Sequence, residues 1–481
     1  MKKNLREIAK KVVKKGGIPD IPISGISNDS QMIKPGELFI AIKGNNNDGH
    51  DYIPEAIKNG ASAVILNSDT NLNIRVPFLK VKDTRKATSI IASEFYGRPS
   101  SNLVMVGITG TNGKTTTATI LNNILLEEGK KSAQVGTLGI KANGFSQPKS
   151  LTTPDAISLN RVFSKLSDSN YSHVVMEVSS HALDQCRVSG IDFKIGIFTN
   201  LTAEHLDYHG DMQSYFDAKS KLFKNLSHNS VAIINHSDPH GQRISHLTNA
   251  KKVFYSSNRK TDIYFKNSKL TTEGINGEIK IGDEYFQINS KLIGQFNLEN
   301  ILAAVAAANA LGISKNSIES GIENCLIVPG RMEKFILSNG AMVLVDYAHT
   351  SDAYEKLFLS VKSILLEGSD IYVVFGAGGD RDVDKRSGMA EIVEKYAKHA
   401  FITPDNPRNE NQNKIASDIK MGFKSSNYTV YDDRKKGLIA AILASNKNDI
   451  ITVLGKGREE YQEINGHKLF YSDIRVIEKY Q

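Results

Sequence analysis

The feature that most constrains the fold is a run of small residues at 108–115, Ile-Thr-Gly-Thr-Asn-Gly-Lys-Thr, between a predicted strand and a predicted helix. Small residues let backbone N–H groups curl around phosphate oxygens, and a following helix N-terminus favours negative charge. In such a loop Lys114 would neutralise the outer phosphates and the Thr115 hydroxyl would reach Mg²⁺. The strict pattern has glycine where this chain has Ile108. The strand and helix on either side still favour a nucleotide-phosphate site over a chance Gly-containing turn.

The rest of the chain repeats this alternation of short apolar runs and helical stretches, which is typical of α/β proteins. The 481 residues suggest about three domains at roughly 150 residues each. We expect an N-terminal α/β domain at 1–97, a central P-loop domain at 98–329 and a C-terminal Rossmann-like, doubly wound domain at 330–481. The Asn-Gly pair at 276–277 predicts a hairpin turn among short strands at 252–291.

The charge of the chain is concentrated at its start. The net charge of +8 and a pI near 9.0 raise the question of a nucleic-acid partner. Residues 1–15 hold seven Lys or Arg side chains against one Glu, so the remaining chain is nearly balanced and no broad basic groove is expected.

Cysteine content and hydropathy limit the possible cellular location. Two cysteines exclude a disulfide scaffold and favour a reducing compartment. The basic N-terminus is not followed by an apolar stretch, so we expect no secretory signal. No apolar run approaches the roughly 20 residues that a membrane span needs. The sequence therefore predicts a cytoplasmic protein without membrane insertion.

Candidate metal ligands follow two further predicted strands. Glu177 ends a strand at 173–178, and His205 lies shortly after a strand at 194–199. At the carboxyl ends of strands in the sheet that carries the phosphate loop, such groups are placed to hold Mg²⁺. Taken singly, each is more often an ordinary polar residue. Lys219 lies on a predicted helix, and its spacing alone predicts a solvated ammonium.

Six motifs follow one another along the chain and together resemble the Mur ligase family of peptidoglycan synthesis. They are GTNGKTT at 110–116, EVSSH at 177–181, HLDYH at 205–209, GQFNLEN at 294–300, PGRME at 329–333 and DYAH at 346–349. Each motif is weak alone, whereas the set is specific and covers nearly the whole chain. The similarity is greatest to members that add the third residue of the stem peptide.

The resemblance implies an ATP-dependent ligation. ATP would phosphorylate the terminal glutamate carboxylate of UDP-N-acetylmuramoyl-L-alanyl-D-glutamate, and an amino acid would attack the acyl phosphate. The family's catalytic residues correspond to Lys114, Glu177, His205 and Lys219. Its Mg²⁺ ligands correspond to Thr115, Glu177, His205 and Lys219, the last as a carbamate formed with CO₂. Its ATP contacts correspond to Gly110, Thr111, Asn112, Gly113, Lys114, Thr115, Thr116, Asn297, Asn300, Arg331 and Asp346.

The resemblance also implies two further substrate sites. The first segment looks like the family's UDP-binding domain. Contacts to the UDP-muramoyl dipeptide correspond to Asn28, Ser30, Asn45, Asn46, Asn47, Thr152, Thr153, Ser179, Gln185 and Arg187. Contacts to the amino acid correspond to Arg381, Asp405, Asn406, Pro407, Arg408, Gly455 and Glu459.

The amino acid is expected to be meso-diaminopimelate. Asp-Asn-Pro-Arg at 405–408 resembles the family's diaminopimelate motif, and Arg408 can grip a distal carboxylate that lysine lacks. Glu459 would receive the distal ammonium. One position departs from the pattern, since Arg458 stands where many relatives have histidine. L-Lysine therefore remains the alternative amino acid.

Three other functions stay open. A folylpolyglutamate synthetase-type ligase shares the architecture and the ATP chemistry, but it should need neither the pattern at 27–49 nor the motif at 405–408. The charge distribution disfavours a P-loop nucleic-acid-binding protein. A nucleotide switch without ligase activity would leave Glu177, His205 and Lys219 without a shared task. We expect small-molecule substrates and a monomer.

Overall fold

A computed structural model describes residues 2–13, 17–44, 47–70, 73–145 and 151–481. Its main sheets have four, ten and six strands, and each lies within one of the three expected segments. Two more sheets are short pairs of strands. Mostly parallel sheets with helices between their strands confirm the α/β class.

The first segment is a small parallel sheet covered on both faces. Its strands are β1 (Lys3–Asn4), β2 (Pro22–Ile23), β3 (Ile26–Ser27), β4 (Leu38–Ile40), β5 (Ala63–Asn67) and β6 (Phe78–Val81), and its helices are α1 (Leu5–Ala9), α2 (Ile53–Lys58) and α3 (Thr84–Phe95). β1 and β2 pair antiparallel, and β3 to β6 are parallel. Successive side chains of a strand face opposite sides. Ile40 accordingly packs with α1 and α3, and Phe39 packs with α2.

The central segment forms a ten-stranded sheet in the order β16-β15-β14-β13-β12-β11-β7-β10-β8-β9. The strands are β7 (Val104–Thr109), β8 (Ser132–Gly136), β9 (Gly139–Lys141), β10 (His173–Glu177), β11 (Ile195–Phe198), β12 (Val231–Asn235), β13 (Lys251–Ser256), β14 (Ile263–Thr271), β15 (Gly274–Ile281) and β16 (Glu284–Ser290). The helices are α4 (Lys114–Glu127), α5 (Ala156–Asp168), α6 (Ser180–Asp184), α7 (Leu206–His209), α8 (Met212–Lys224), α9 (Pro239–Leu247), α10 (Phe296–Ala310) and α11 (Lys315–Glu323).

Helix α10 is the central packing element of this segment. Its residues 301–308 are all fully buried, because α4 covers one side and strands β12 and β13 cover another. A helix that is apolar on every face is expected at such a position. No helix in the described part of the chain, α10 included, is long and apolar enough to cross a membrane.

The predicted hairpin turn at 276–277 is wrong. Asn276 and Gly277 lie inside β15, and the two-residue turns lie at 272–273 and 282–283. A Cβ at Gly277 would come within 2.5 Å of the Asn267 carbonyl oxygen, beside a register shift in β14. The glycine is therefore required by a close approach of two strands next to a bulge, a use that its sequence context does not distinguish from a turn.

The C-terminal segment is a six-stranded sheet in the order β17-β18-β22-β19-β20-β21, followed by a hairpin. Its strands are β17 (Glu333–Ile336), β18 (Met342–Asp346), β19 (Ile371–Phe375), β20 (His399–Ile402), β21 (Tyr428–Val430), β22 (Ile450–Leu454), β23 (Tyr461–Ile464) and β24 (His467–Phe470). Its helices are α12 (Ser351–Ile364), α13 (Lys385–Tyr396), α14 (Gln412–Lys420), α15 (Arg434–Ala444) and α16 (Asp473–Ile477). Only β17 runs antiparallel to its neighbour within the six-stranded sheet, which confirms the doubly wound prediction.

A buried ion pair ties the last helix to this sheet. Arg434 and Asp473 are both about fully buried, with Nη2 and Oδ2 2.8 Å apart. Arg434 also donates to the Leu454 carbonyl oxygen at 2.9 Å and to the Thr403 hydroxyl at 3.2 Å. These two acceptors lie at the carboxyl ends of β22 and β20, so one guanidinium joins both strand ends to α16.

Replacing Arg434 is therefore expected to destabilise the protein strongly. Arg434→Met leaves the Asp473 carboxylate buried without its cation and should lower the free energy of unfolding by about 3–5 kcal/mol. Urea denaturation measures the loss. Lys436→Met is the matched control, because Lys436 lies on the same helix and forms an exposed pair with Asp432, so its loss should cost less than about 1 kcal/mol. Equal losses in the two variants would contradict the structural role of Arg434.

Candidate functional site

A cavity of about 540 Å³ lies where the carboxyl ends of β7, β10, β11 and β18 meet. Its walls come from the central and the C-terminal segments. Such a position is where open α/β sheets bind ligands. The lining residues that the sequence analysis singled out are Thr111, Asn112, Gly113, Lys114, Thr115, Thr116, Thr152, Glu177, His205, Asn300, Arg331 and Asp346.

The phosphate loop connects β7 to α4, as predicted. Two of its residues must be glycine, because a Cβ at Gly110 would lie 1.9 Å from the Thr199 hydroxyl and one at Gly113 would lie 2.3 Å from the Asn300 side-chain oxygen. Both have positive φ, +151° and +88°. Ile108 is fully buried inside β7, so the departure from the strict pattern falls in the strand and not in the loop.

Lys114 is folded back onto this loop. Its Nζ donates to the carbonyl oxygens of Gly110 at 2.9 Å and Thr111 at 2.7 Å. Burial lowers the pKa of Lys114, and the positive charge of Arg331 adds to the effect. An anion placed at the loop would offset the free-energy cost of burying the Lys114 ammonium. It would bind both that ammonium and the N–H groups of the helix N-terminus.

Glu177 is a fully buried carboxylate at the end of β10. It accepts hydrogen bonds from the Thr115 hydroxyl at 2.9 Å, the Thr137 N–H at 2.9 Å and the Thr137 hydroxyl at 3.1 Å. Thr115 and Glu177, both expected metal ligands, are therefore in direct contact. A hydroxyl and a carboxylate oxygen beside the phosphate loop are hard donors that suit Mg²⁺.

His205 directly precedes α7 and has a left-handed conformation with φ +56°. Its ring packs edge-on against His181, with centroids 4.8 Å apart. Loss of hydration lowers the pKa of His205 to about 4, and the charges of Lys114 and Lys219 act in the same direction. A neutral imidazole keeps a lone pair for a metal. Among the described residues, no group of three or more His, Cys, Asp or Glu side chains is close enough to hold a metal by itself.

Glu204, which the sequence analysis missed, also lines the cavity. Its Oε1 lies 3.1 Å from His349 Nε2, so this pair joins the central and C-terminal segments. Burial alone would raise the pKa of Glu204, but the hydrogen bond and charge of His349 hold it well below its usual range. The only sequence signal was its position next to His205.

The prediction from spacing alone, that Lys219 is a solvated surface lysine, is wrong. The side chain lies on α8 and is 2% exposed, so it does not belong to a solvated face. Its Nζ donates to the Gly110 carbonyl oxygen at 2.8 Å and lies 4.5 Å from the Tyr215 ring centre. Burial, with the nearby charge of Lys114, lowers the pKa of Lys219 well below its ordinary value. A buried amine of this kind is neutral more readily and hence more nucleophilic.

The predicted nucleotide contacts from α10 and the C-terminal segment converge on the same cavity. Arg331 reaches the Thr115 hydroxyl with Nη2 at 3.4 Å, and its guanidinium lies 4.9 Å from the Tyr347 ring centre. Burial raises the pKa of Asp346, whose carboxylate accepts the N–H groups of Met332 and Ala348, both at 2.7 Å.

Asn297 takes a supporting position behind Asn300. Asn300 lines the cavity, and its Nδ2 donates to the Asn297 side-chain oxygen at 2.8 Å. Asn297 in turn donates to the Ile293 carbonyl oxygen at 2.7 Å. Asn297 thus orients the amide that faces the cavity.

The predicted contacts for the muramoyl dipeptide form a connected network beside Glu177. Thr153 donates to the Glu177 carbonyl oxygen at 2.9 Å and accepts the Ser179 N–H at 3.0 Å. Arg187 donates to the Thr153 carbonyl oxygen at 2.7 Å and to the Gln185 side-chain oxygen at 2.6 Å. Thr152 lies 3.4 Å from the Thr137 hydroxyl. The structure therefore brings these five predicted residues together.

The predicted uridine contacts lie at the first sheet. Asn28 is exposed just after β3, and Asn47 is exposed in the loop after β4. Ser30 is buried, and its hydroxyl donates to Glu55. Asn45 and Asn46 lie outside the described residues.

The predicted amino-acid contacts meet at the carboxyl ends of β20 and β22. Asn406 Nδ2 donates to Glu459 Oε2 at 2.9 Å, and Gly455 has φ +100° with no room for a Cβ, which would lie 2.5 Å from an Asp405 oxygen. Lys456, which the sequence analysis missed, is fully buried and donates to Asn406 and Glu459, both at 3.1 Å. In the sequence, the glycines on either side of Lys456 were the feature that could have indicated its role.

Arg408 is held by two hydrogen bonds at the rim of this group. Its Nη1 donates to the Gly379 carbonyl oxygen at 2.6 Å, and its Nε donates to Glu463 at 3.3 Å. The Arg381 side chain passes the same glycine turn, since a Cβ at Gly378 would lie 3.8 Å from Arg381 and 3.1 Å from Arg408. Pro407 precedes Arg408 in the loop and is buried.

Arg458, at the position that departs from the family pattern, pairs with Glu333. Its Nε lies 2.8 Å and 3.1 Å from the two carboxylate oxygens of Glu333, and its Nη2 also donates to Glu333. The arginine at this position therefore adds an ion pair next to the amino-acid site.

Comparison with protein families identifies the class. Residues 22–96 match the family described as Mur ligase family, catalytic domain. Residues 108–308 match the Mur ligase middle domain, and residues 330–457 match the Mur ligase, glutamate ligase domain. The chain belongs to the Mur ligase family, which confirms the resemblance and makes it an ATP-dependent ligase.

Individual relatives show which members of the family the chain resembles. The chain is 39% identical over 469 residues to the UDP-N-acetylmuramoyl-L-alanyl-D-glutamate--2,6-diaminopimelate ligase of Geobacillus kaustophilus (strain HTA426), covering 96% of this chain and 95% of the relative. It is 39% identical over 458 residues to the ligase of the same name from Aquifex aeolicus (strain VF5), covering 95% and 93%.

Solved structures agree with the fold. A structure of a UDP-N-acetylmuramoyl-L-alanyl-D-glutamate--2,6-diaminopimelate ligase matches with a TM-score of 0.72 and 29% identity, covering 100% of this chain and 99% of the other. The Mycobacterium tuberculosis folylpolyglutamate synthase complexed with ADP and AMPPCP matches with a TM-score of 0.64 and 16% identity, covering 77% and 92%. This second similarity shows the fold alone.

The burial of Lys219 predicts a pH-dependent stability. Because its pKa in the folded protein lies below the unfolded value, the unfolded chain binds more protons between the two values, and stability rises with pH there. The stability of wild type relative to Lys219→Met should therefore increase from pH 6 to pH 9, by at most about 1.4 kcal/mol per pH unit. Urea denaturation in CO₂-free buffer measures it.

Lys221→Met, which removes a more exposed ammonium from the same helix, controls for the change in net charge. A stability difference between wild type and Lys219→Met that does not change with pH would mean that Lys219 is protonated in the folded protein like an ordinary lysine.

Proposed function

We propose that the protein joins meso-2,6-diaminopimelate to UDP-N-acetylmuramoyl-L-alanyl-D-glutamate with ATP, giving the UDP-muramoyl tripeptide, ADP and phosphate in peptidoglycan synthesis. The observation that carries the proposal is the 39% identity, over 96% of the chain, to a relative whose name states this reaction. The geometry of the cavity and of the loop at 405–408 supports it. Action as a monomer in the cytoplasm stays a prediction.

The chemistry begins with activation of a carboxylate, which is a poor acyl donor until it carries a good leaving group. The glutamate carboxylate attacks the γ-phosphorus of ATP and displaces ADP. The amino group of the second substrate then attacks the acyl phosphate, and phosphate leaves with one of the former carboxylate oxygens. Lys114 and the N–H groups of the loop would bind the phosphoryl oxygens on which charge develops.

The Mg²⁺ ligands that we propose begin with Thr115 and Glu177, whose oxygens already face each other at 2.9 Å. When bound, the ion would supply further positive charge to the phosphates. His205 and a carbamate on Lys219 would complete its surroundings.

The acyl donor would lie beside these groups. Thr152, Thr153, Ser179, Gln185 and Arg187 would hold the muramoyl dipeptide, and Thr153 is one hydrogen bond from the backbone of Glu177. Arg187 suits the anionic substrate. The uridine diphosphate would reach Asn28, Ser30 and Asn45 to Asn47. We accordingly assign the UDP end to 1–97, ATP to 98–329 and the amino acid to 330–481.

Selectivity for diaminopimelate would come from opposite charges around the amino-acid loop. Arg408 donates through Nε to Glu463 and through Nη1 to Gly379. Its Nη2 would therefore donate to the distal carboxylate of diaminopimelate. Asp405 and Glu459 would receive ammonium groups. Because Arg458 is paired with Glu333, the departure at that position does not weaken this assignment. L-Lysine would leave Arg408 without its carboxylate.

Lys219 fits the carbamate proposal on physical grounds. CO₂ reacts with a neutral amine, and burial lowers the pKa of Lys219 well below its ordinary value, which favours the neutral form. Carbamylation would replace a buried cation near Lys114 with an anion, which removes a repulsion and creates two oxygen ligands.

The alternatives lose support. The folylpolyglutamate synthase similarity, at 16% identity, extends only to the fold. A nucleotide switch would leave the ordered group at 405–408 and 455–459 unexplained. The nearly balanced charge of the sequence after residue 15 argues against a nucleic-acid partner.

An ADP-release assay tests the reaction and its selectivity. With ATP, Mg²⁺, bicarbonate and UDP-N-acetylmuramoyl-L-alanyl-D-glutamate, diaminopimelate should support turnover and L-lysine should not. Arg408→Met should raise the KM for diaminopimelate about 10- to 100-fold, the cost of one lost charge-assisted hydrogen bond. Arg243→Met, an exposed arginine on α9, is the control. Unchanged kinetics in Arg408→Met would make Arg408 a turn residue, and no turnover of either amino acid by folded wild type would refute the ligase proposal.

The carbamate has its own test. Lys219→Ala should lose activity by about 100-fold or more, as expected when an organising charge is removed from an active site. Formate or acetate added at high concentration should restore part of it by replacing the carbamate. ¹³C NMR of wild type in ¹³C-bicarbonate should display a carbamate resonance that Lys219→Ala lacks. Full activity of Lys219→Ala without added carboxylate would contradict the proposal.

A further inference from the structure

Two loops from different parts of the C-terminal segment pack against one aromatic ring. A Cβ at Gly330 would lie 2.7 Å from the Tyr347 ring, and a Cβ at Gly457 would lie 2.3 Å from it. Both glycines have positive φ, +68° and +51°. The loop at 329–333 and the loop at 455–459 therefore both pack closely against the Tyr347 ring, with no space for a larger residue at either glycine.

An ion pair joins the same two loops. Arg458 Nε lies 2.8 Å and 3.1 Å from the Glu333 carboxylate oxygens, with a further bond from Nη2. Glu333 is 3% exposed and also accepts the Gly330 N–H at 2.8 Å. A guanidinium that grips a buried carboxylate with two nitrogens fixes orientation as well as distance. The pair therefore sets the position of one loop relative to the other.

Each loop also carries a residue that serves a different substrate. Arg331 follows Gly330 and reaches the Thr115 hydroxyl at the phosphate loop, with Nη2 at 3.4 Å. Glu459 follows Arg458 and accepts hydrogen bonds from Asn406 at 2.9 Å and Lys456 at 3.1 Å. In the sequence, Arg331 stands two positions before Glu333, and Glu459 directly follows Arg458. The ion pair therefore lies next to a residue of the nucleotide site in one loop and next to a residue of the amino-acid site in the other.

We propose that Arg458 and Glu333 are positioning residues that couple the nucleotide site to the amino-acid site, so that a ligand bound at one site strengthens binding at the other. The inference rests on the proposed function, which assigns Arg331 to ATP and Glu459 to diaminopimelate. Neither member of the pair touches a substrate. Glu333 acts by holding Arg331, two residues earlier in its loop, and Arg458 acts by holding the adjacent Glu459, where a bound ligand needs each of them.

Thermodynamic coupling between two sites is reciprocal and can be measured without turnover. The probe is AMPPCP with Mg²⁺, titrated by calorimetry with and without saturating diaminopimelate. Wild type should bind AMPPCP about fivefold or more tightly when diaminopimelate is present, the lower end of typical coupling. In Arg458→Met the ratio of the two Kd values should fall close to one, because the loops are no longer joined.

Conservative variants separate positioning from folding. Arg458→Lys keeps the charge but loses the two-nitrogen grip, so its coupling should lie between wild type and Arg458→Met. Glu333→Gln keeps the acceptor for Gly330 and should also weaken the coupling. In turnover, Arg458→Met should raise the KM for diaminopimelate about tenfold with a smaller change in kcat. Arg259→Met, an exposed arginine of the central segment, should keep the wild-type ratio.

Two results would overturn the coupling proposal, and both differ from failure of the proposed function. Equal AMPPCP affinities with and without diaminopimelate in wild type would overturn the coupling, and so would a wild-type ratio in folded Arg458→Lys and Glu333→Gln. The binding comparison decides this without catalysis. Failure of the proposed function would appear separately, as wild-type protein that turns over neither diaminopimelate nor lysine.

Discussion

Two buried lysine side chains that donate to one carbonyl oxygen determine the character of the site. Lys114 and Lys219 both donate to Gly110 O, at 2.9 Å and 2.8 Å, and burial lowers the pKa of each. Arg331 adds a third cation near Thr115. The nearby carboxylates are already engaged, Glu177 by hydroxyl and amide donors and Glu204 by His349. The phosphate loop, where these three side chains meet, therefore favours a group that brings negative charge, as a triphosphate does.

Local sequence was sufficient for the elements that carry this arrangement. The strand, loop and helix around 108–115 are specified by residues adjacent in sequence, and the carboxyl ends of parallel strands necessarily share one edge of a sheet. Glu177 was therefore found correctly at that edge beside Thr115. Gly277 shows the limit of local reasoning, because the same Asn-Gly pair that makes a turn elsewhere here serves a close approach of strands.

Contacts between distant parts of the chain could not be predicted in the same way. Lys219 looked like a solvated lysine because nothing on its own helix indicates that the phosphate loop, 109 residues earlier, packs over it. Glu204 meets His349 across two segments, and Lys456 is buried among carboxylate and amide groups from two loops. Family resemblance supplied the names of most site residues, whereas their hydrogen-bond partners came only from the three-dimensional arrangement.

The most direct test of the central claim, that this cavity serves to convert a carboxylate into an acyl phosphate, is an isotope-transfer experiment. UDP-N-acetylmuramoyl-L-alanyl-D-glutamate would carry ¹⁸O in its terminal carboxylate, and phosphate released during turnover with diaminopimelate would be analysed by mass spectrometry. Transfer of one ¹⁸O atom to each phosphate is predicted, because the phosphoryl group departs with a former carboxylate oxygen. Phosphate free of ¹⁸O, alongside formation of the tripeptide, would contradict it.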